Sequence, residues 1–289
     1  MKFNKPITKT IAERFSCRTY QTESIDIETL GRLNDFMASL QVGPLGNLTR
    51  FELVSATEAD TKALKGLGTY GFIKGATAFI VGATPEDEHG LEDFGYQMEL
   101  IILKATELGL GTCWLGGTFT KSSFAKKIAL QKNEIIPAVT SLGYIAEDPR
   151  WVDGKIREAA GSDQRFPWAK LFFDSSFQSP LPKDSAGEYA VPLEMVRKAP
   201  SASNRQPWRM VKDGDSWHFF LRRSRNYRTS KYAKMLKMAD LQRIDMGIAM
   251  SHFELSAREV GLTGEWQQSD PGIEIPDEMI DYSVSWTCL

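Results

Sequence analysis

Asp93-Phe94-Gly95-Tyr96-Gln97-Met98 and Asp245-Met246-Gly247-Ile248-Ala249-Met250 open two segments that read as copies of one another. At an offset of 152, Asp93, Gly95, Met98, Leu103, Ala105, Glu107, Gly109, Leu110 and Trp114 face Asp245, Gly247, Met250, Leu255, Ala257, Glu259, Gly261, Leu262 and Trp266. Nine identities over the 22 ungapped positions 93–114 exceed what shared helix composition supplies. In both segments apolar residues recur at helical spacing, and each helix stops at a glycine, which accepts the left-handed conformation after a last turn. A short strand follows each stop.

The likeness extends upstream. Asn47-Leu48-Thr49-Arg50-Phe51 aligns with Asn204-Arg205-Gln206-Pro207-Trp208 at an offset of 157. Each copy then predicts helix, strand, strand, long helix, strand, strand: 26–41, 50–56, 77–83, 92–108, 112–115 and 137–144, then 189–198, 208–213, 216–222, 242–260, 264–267 and 281–288. Residues 179–187, rich in Pro, Ser and Gly, read as a linker. The expected fold is α+β, with two tandem copies related by a pseudo-two-fold axis, each a sheet layered by helices: copy one over 1–178 and copy two over 188–289. The long apolar helices should meet at the centre, so that the chain works as a monomer built like a dimer.

With 289 residues, 42% hydrophobic and 25% charged, the chain is an ordinary globular one. A net charge of -2 excludes a global basic field for nucleic acid. No apolar run reaches membrane-spanning length, and MKFNKPITKTIAERF has no apolar core of a secretory signal. Cys17, Cys113 and Cys288 are too few and scattered for a disulfide framework or zinc site, and His89, His218 and His252 lack ligand spacing. The reading is a cytoplasmic protein.

Arg14-Phe15-Ser16-Cys17-Arg18, if extended, puts residues 14, 16 and 18 on one face, where two guanidiniums and a hydroxyl suit a phosphate; a solvated basic segment explains the spacing as well. Pro200-Ser201-Ala202-Ser203-Asn204-Arg205-Gln206-Pro207-Trp208 reads as a fixed turn with polar donors ahead of a strand. Gly109-Leu110-Gly111-Thr112-Cys113-Trp114-Leu115-Gly116-Gly117 offers a bare backbone on which a flat ligand can lie. Gly66-Leu67-Gly68-Thr69-Tyr70-Gly71 matches G-x-G-x-x-G, but a helical segment precedes it and a strand follows, the reverse of the dinucleotide-binding context. The basic stretch Arg222–Arg228 reads first as a solvated loop.

Together these residues resemble the FMN-dependent nitroreductase family, and the whole chain is most similar to its tandem, internally duplicated members. RFSCRTY looks like that family's N-terminal Arg-x-Ser-x-Arg signature, APSASNRQPW like its Ser-Pro-Ser-x-x-Asn-x-Gln-Pro-Trp segment, and GLGTCWLGG like its late flavin strand. The resemblance implies that Arg14, Ser16 and Arg18 hold an FMN phosphate and ring edge. It implies that Trp114, Leu115, Gly116 and Gly117 lie along the ring, that Arg165 reaches the phosphate, and that Pro200, Ser201, Ala202 and Asn204 form the donated wall. Copy one lacks Gln-Pro-Trp after Asn47, and copy two lacks both Arg-x-Ser-x-Arg and the glycine-rich strand, so a single FMN site is expected. The implied activity is hydride transfer from NAD(P)H to a small acceptor such as a nitroaromatic or quinone, with the flavin and no side chain carrying the chemistry. A flavin-binding or sensing protein without turnover, and an interaction module built on Arg222–Arg228, are the rival readings.

Overall fold

The computed structural model describes residues 3–56, 63–225 and 238–289. The first half carries α1 (Ile7–Glu13), α2 (Ile27–Ala38), β1 (Arg50–Ser55), β2 (Ala78–Pro85), α3 (Gly90–Glu107), β3 (Gly111–Leu115), α4 (Lys121–Lys127), β4 (Glu134–Ile135), β5 (Val139–Gly143) and α5 (Trp151–Ala159). The second carries β6 (Phe172–Asp174), β7 (Ser176–Pro180), α6 (Ala190–Lys198), β8 (Trp208–Asp213), β9 (Ser216–Arg222), α7 (Leu241–Glu259), β10 (Gly264–Gln267) and β11 (Ile280–Cys288).

The strands form two sheets. One runs β1-β2-β5-β3, with β4 on the end of β2; the other runs β10-β11-β9-β8-β6-β7. Read from β8, the second sheet repeats the first in order (β8-β9-β11-β10), and every ladder in that repeated part is antiparallel. The expected helices and strands of both copies are present. The short α4, α5, β4, β6 and β7 go beyond them.

Sheet pairing crosses the expected copy boundary: β6 lies parallel to β8 in the second sheet, and β7 pairs with β6. The segment expected as a linker is packed: residues 179–180 finish β7, Leu181 is buried, and Lys183–Tyr189 forms a short 3-10 helix.

Helices α3 and α7 are buried because they cross each other between the two sheets. Phe94, Met98, Ile101 and Leu103 on α3, and Met246, Met250 and Phe253 on α7, are inaccessible to solvent. Glycine makes the crossing possible. A Cβ on Gly95 would overlap the Ile244 carbonyl oxygen, and one on Gly247 would overlap the Glu92 carbonyl oxygen. Since 247 − 95 and 244 − 92 both equal 152, one contact is made twice with the roles exchanged, as a two-fold relation requires. The outer face of the first sheet has its own smaller core, in which Phe79, Val81, Cys113, Leu115 and Val139 pack under Phe124 of α4.

Candidate functional site

Arg14 ends α1 in an extended conformation, and the chain then docks on β3, the edge strand of the first sheet. Ser16 bridges Thr112, and the Cys17 N–H donates to the Thr112 carbonyl at 2.8 Å. Strand alternation turns Cys17 inward and leaves Ser16 and Arg18 facing a cleft. Burial pushes the Cys17 thiol up to about 11 and raises Cys113 as well, so neither supplies a thiolate at neutral pH.

A cavity of about 810 Å³ opens here, lined by Arg14, Ser16, Arg18, Arg165, Pro200, Ser201 and Asn204 among others. Arg157 and Arg197 on its walls are paired with Asp163 and Glu194. Although Asp163 is near enough to act on its charge, Arg165 is in ion-pair contact with no carboxylate among the described residues. It donates to the carbonyls of Ser162 (2.8 Å), Gln164 (2.8 Å) and Lys198 (3.1 Å), and to Asn204 Oδ1 at 3.4 Å. Its Nε is buried with no partner among the described residues. Burial, together with Arg14 and Arg197, lowers its pKa. A half-buried guanidinium whose Nε is buried without a partner, beside further arginines, suits an anion, and phosphate oxygens match that donor geometry.

A second cavity of about 270 Å³ continues from the first through Ser16, Arg18, Pro200, Ser201 and Ser203. Trp114, Gly116, Gly117, Ala202 and Asp245 also line it. A Cβ on Gly116 or Gly117 would press on the side-chain ends of Leu241 and Met238, which line the same cleft, so glycine there keeps its room. Leu115, expected along the same wall, points the other way into the outer core of the first sheet and is not among the residues that line the cleft.

The opposite wall is the turn 200–206. Ser203, Asn204 and Gln206 all take left-handed backbone conformations, with φ of 52°, 52° and 47°. The turn is held by its own polar groups. Gln206 N–H donates to Ser201 Oγ (2.8 Å), and Asn204 Nδ2 donates to the carbonyls of Gly161 (2.6 Å) and Gln164 (3.0 Å). Ser201 and Asn204 therefore shape the wall as well as face the cavity. Sequence reasoning did not single out Gln206, whose Oε1 accepts from the Phe166 N–H at 2.8 Å and clamps the turn to the segment carrying Arg165. Its partner lies 40 residues away, so only the phrase Gln206-Pro207 within the motif signalled it. Asp245 was also missed. Its Oδ1 accepts from the Ala202 N–H at 2.9 Å.

The counterpart in the first half differs. At the offset of 157, Leu45 corresponds to Ala202, and its N–H donates to Asp93 Oδ1 at 2.9 Å. Asn47 then donates both its N–H and its side-chain amide to Asp93 Oδ2. The corresponding cavity, about 430 Å³, is lined by Pro44, Trp266 and Trp286, and its Arg258 is paired with Glu254 at 2.8 Å. Among the described residues no arginine cluster lines it.

The remaining sequence signals attach to other roles. Residues 57–62 and 226–237 lie outside the described residues, and with them part of the helical segment before Gly66 and of the basic stretch. Arg222 ends β9 and pairs with Asp277, and the largely buried Arg223 pairs with Asp240 and Asp281, so these two arginines are held by carboxylates rather than free in a solvated loop. Among the described residues no group of His, Cys, Asp and Glu could hold a metal. No described helix is long and apolar enough to cross a membrane.

The sequence matches the model of a family described as "Putative TM nitroreductase" over residues 6–257. Its fold is similar to the crystal structure of a "putative nitroreductase" from Thermotoga maritima, with TM-score 0.61, 18% identity, and 99% of this chain and 95% of that one covered. Likeness to a nitroreductase with bound FMN from Desulfitobacterium hafniense has TM-score 0.40 and 20% identity, over 51% of this chain and 93% of that one. An FMN-dependent nitroreductase from Clostridium difficile is similar at TM-score 0.38 and 22% identity, over 49% and 88%. No curated protein matches.

Proposed function

This chain belongs to the TM nitroreductase family, and we propose that it is an FMN-dependent oxidoreductase that passes hydride from NADH or NADPH to a small organic acceptor such as a nitroaromatic or quinone. The observation that carries this reading is the half-buried Arg165, whose Nε has no partner among the described residues, in an arginine-rich cavity that runs into a cleft lined by glycine.

In this reading Arg14, Ser16, Arg18 and Arg165 bind the phosphate and the near edge of the ring. Trp114, Gly116 and Gly117 form one wall of the ring cleft, and Pro200, Ser201, Ala202 and Asn204 the other. Bound FMN supplies the hydride chemistry; the chain binds it, orients it and shapes the approach. The repeated strand order supports a duplicated chain, copy one over 1–178 and copy two over 188–289, that works as a monomer. Among the described residues the cavity at Trp266 is lined by one arginine, Arg258, already paired with Glu254, which supports one flavin per chain. Three cysteines free of disulfides suit a reducing compartment, the cytoplasm.

The test is a spectrum of the purified protein before and after NADPH is added without air. The expected protein is yellow, releases about one FMN per chain on denaturation, and is bleached by the nicotinamide. A colourless protein that takes up no FMN overturns the reading. A yellow protein that no nicotinamide bleaches is a flavin binder without turnover. Sedimentation tests the monomer: flavin found solely on a dimer refutes a site complete within one chain.

A further inference from the structure

Asp93 and Asp245 occupy equivalent places at the starts of the two central helices, yet their surroundings differ. Both oxygens of Asp93 are engaged: Leu45 N–H reaches Oδ1, and two donors of Asn47 reach Oδ2. At Asp245 only Oδ1 is engaged, by the Ala202 N–H at 2.9 Å. The counterpart of Asn47, Asn204, turns its amide toward the carbonyls of Gly161 and Gln164 instead. Asp245 is 2% exposed, its Oδ2 has no partner among the described residues, and the residue lines the cleft with Arg18, Trp114, Gly116 and Gly117. Buried polar atoms are almost always satisfied, so an orphan on a cavity wall points to an absent partner.

Resting on the flavin reading above, we infer that Asp245 is a positioning residue whose Oδ2 hydroxyl donates a hydrogen bond to a carbonyl oxygen of the bound flavin ring. Burial pushes this carboxyl well above its ordinary range, and the charge of Asp240 raises it further. The neutral acid keeps Oδ1 as acceptor for Ala202 and leaves Oδ2 as the free donor. The same carboxyl in the first half is closed off by the loop 45–47, and the second half leaves it open where the cleft is.

The experiment compares FMN dissociation constants for wild type, Asp245→Ala, Asp245→Asn and the control Asp93→Asn. It adds the flavin-binding infrared difference spectrum of the wild type and of Asp245→Asn. Loss of one donor should weaken FMN binding by about tenfold in Asp245→Ala. Asp245→Asn retains an N–H at the same place and should stay within about threefold, and Asp93→Asn should bind FMN as the wild type does. The wild-type spectrum should show a protonated-carboxyl band that shifts when FMN binds and is missing in Asp245→Asn. Wild-type protein that binds FMN but shows no such band, or an Asp245→Ala that binds FMN equally well, overturns this inference and leaves the flavin reading standing. A tenfold loss in Asp245→Asn would make the group an acceptor, which also overturns it. Wild-type protein that takes up no FMN overturns the flavin reading itself, and this inference with it.

Discussion

Trp114 donates its indole N–H to Glu99 Oε2 at 2.8 Å, tying a wall of the cleft to the centre of the molecule. The other oxygen of the same carboxylate lies 3.0 Å from His252 Nε2 on the facing helix and 3.7 Å from Arg14 Nε at the cationic cavity. His252 is anchored in turn by the Met195 carbonyl, 3.0 Å from its Nδ1. One solvent-inaccessible carboxylate thus links Trp114 of the smaller cavity, Arg14 of the larger one and the crossing of α3 with α7.

Replacing that carboxylate should therefore be costly. Glu99→Ala leaves Arg14, His252 and Trp114 without their shared acceptor, and breaking a buried pair of this kind costs about 3–5 kcal/mol. Glu99→Gln keeps an acceptor for Trp114 and should lose less. Urea unfolding of the two variants checks the order; equal stability of all three proteins would remove Glu99 from its organising place.

Arg14 and Arg18 should separate in a way their spacing does not foretell. Either change to Ala should weaken FMN binding by about 1.5–3 kcal/mol, the size of a charge-assisted hydrogen bond. Without flavin, Arg18→Ala should change stability by less than about 0.5 kcal/mol, because its guanidinium makes just a 3.3 Å contact to the Ser16 carbonyl among the described residues. Arg14 is nearly buried against Glu99, so Arg14→Ala should destabilise the flavin-free protein measurably. Flavin titration and thermal melts on the same samples distinguish the two effects.

The reciprocal glycines predict matched penalties. Gly95→Ala and Gly247→Ala each drive a methyl into backbone carbonyl on the opposite helix, which no side-chain rotation relieves. Each should cost about 1–3 kcal/mol or more, by separating α3 from α7. Denaturant midpoints should fall for both; a drop for one glycine alone would contradict the two-fold crossing.

Stability of the flavin-free protein should depend on pH through Asp245. Its folded-state pKa lies above the unfolded one, so the folded state holds the proton more tightly. That contribution is complete below the ordinary carboxyl range and disappears as pH rises through the elevated folded value, at up to about 1.4 kcal/mol per pH unit. Asp93 is shifted in the same direction and adds a like dependence. Asp245→Asn should flatten the fall in stability between acid and neutral pH, leaving the share due to Asp93. An unchanged pH profile in that variant would show that Asp245 titrates normally in the folded protein.

What the sequence determined by itself is local and periodic. Helical spacing with a closing glycine placed α3 and α7, and alternation placed Ser16 and Arg18 on a face opposite Cys17. The repeat at offset 152 foretold two like halves, and the structure agrees in strand order and in the exchanged contacts of Gly95 and Gly247. What only the tertiary structure decided is the identity of partners distant along the chain. Glu99 and His252 are 153 residues apart, and Thr112 receives residues 16–17 across nearly a hundred positions. Leu115 turned away from the cleft because its neighbours on the strand fix the alternation and the outer core needed filling. Residues 172–180 joined the second sheet because the edge of β8 offered backbone hydrogen bonds that no periodicity encodes. The two aspartates make the sharpest case: the same residue type at the same place in the repeat is closed off in one half and open in the other, and the difference is where the amide of Asn47 or Asn204 points.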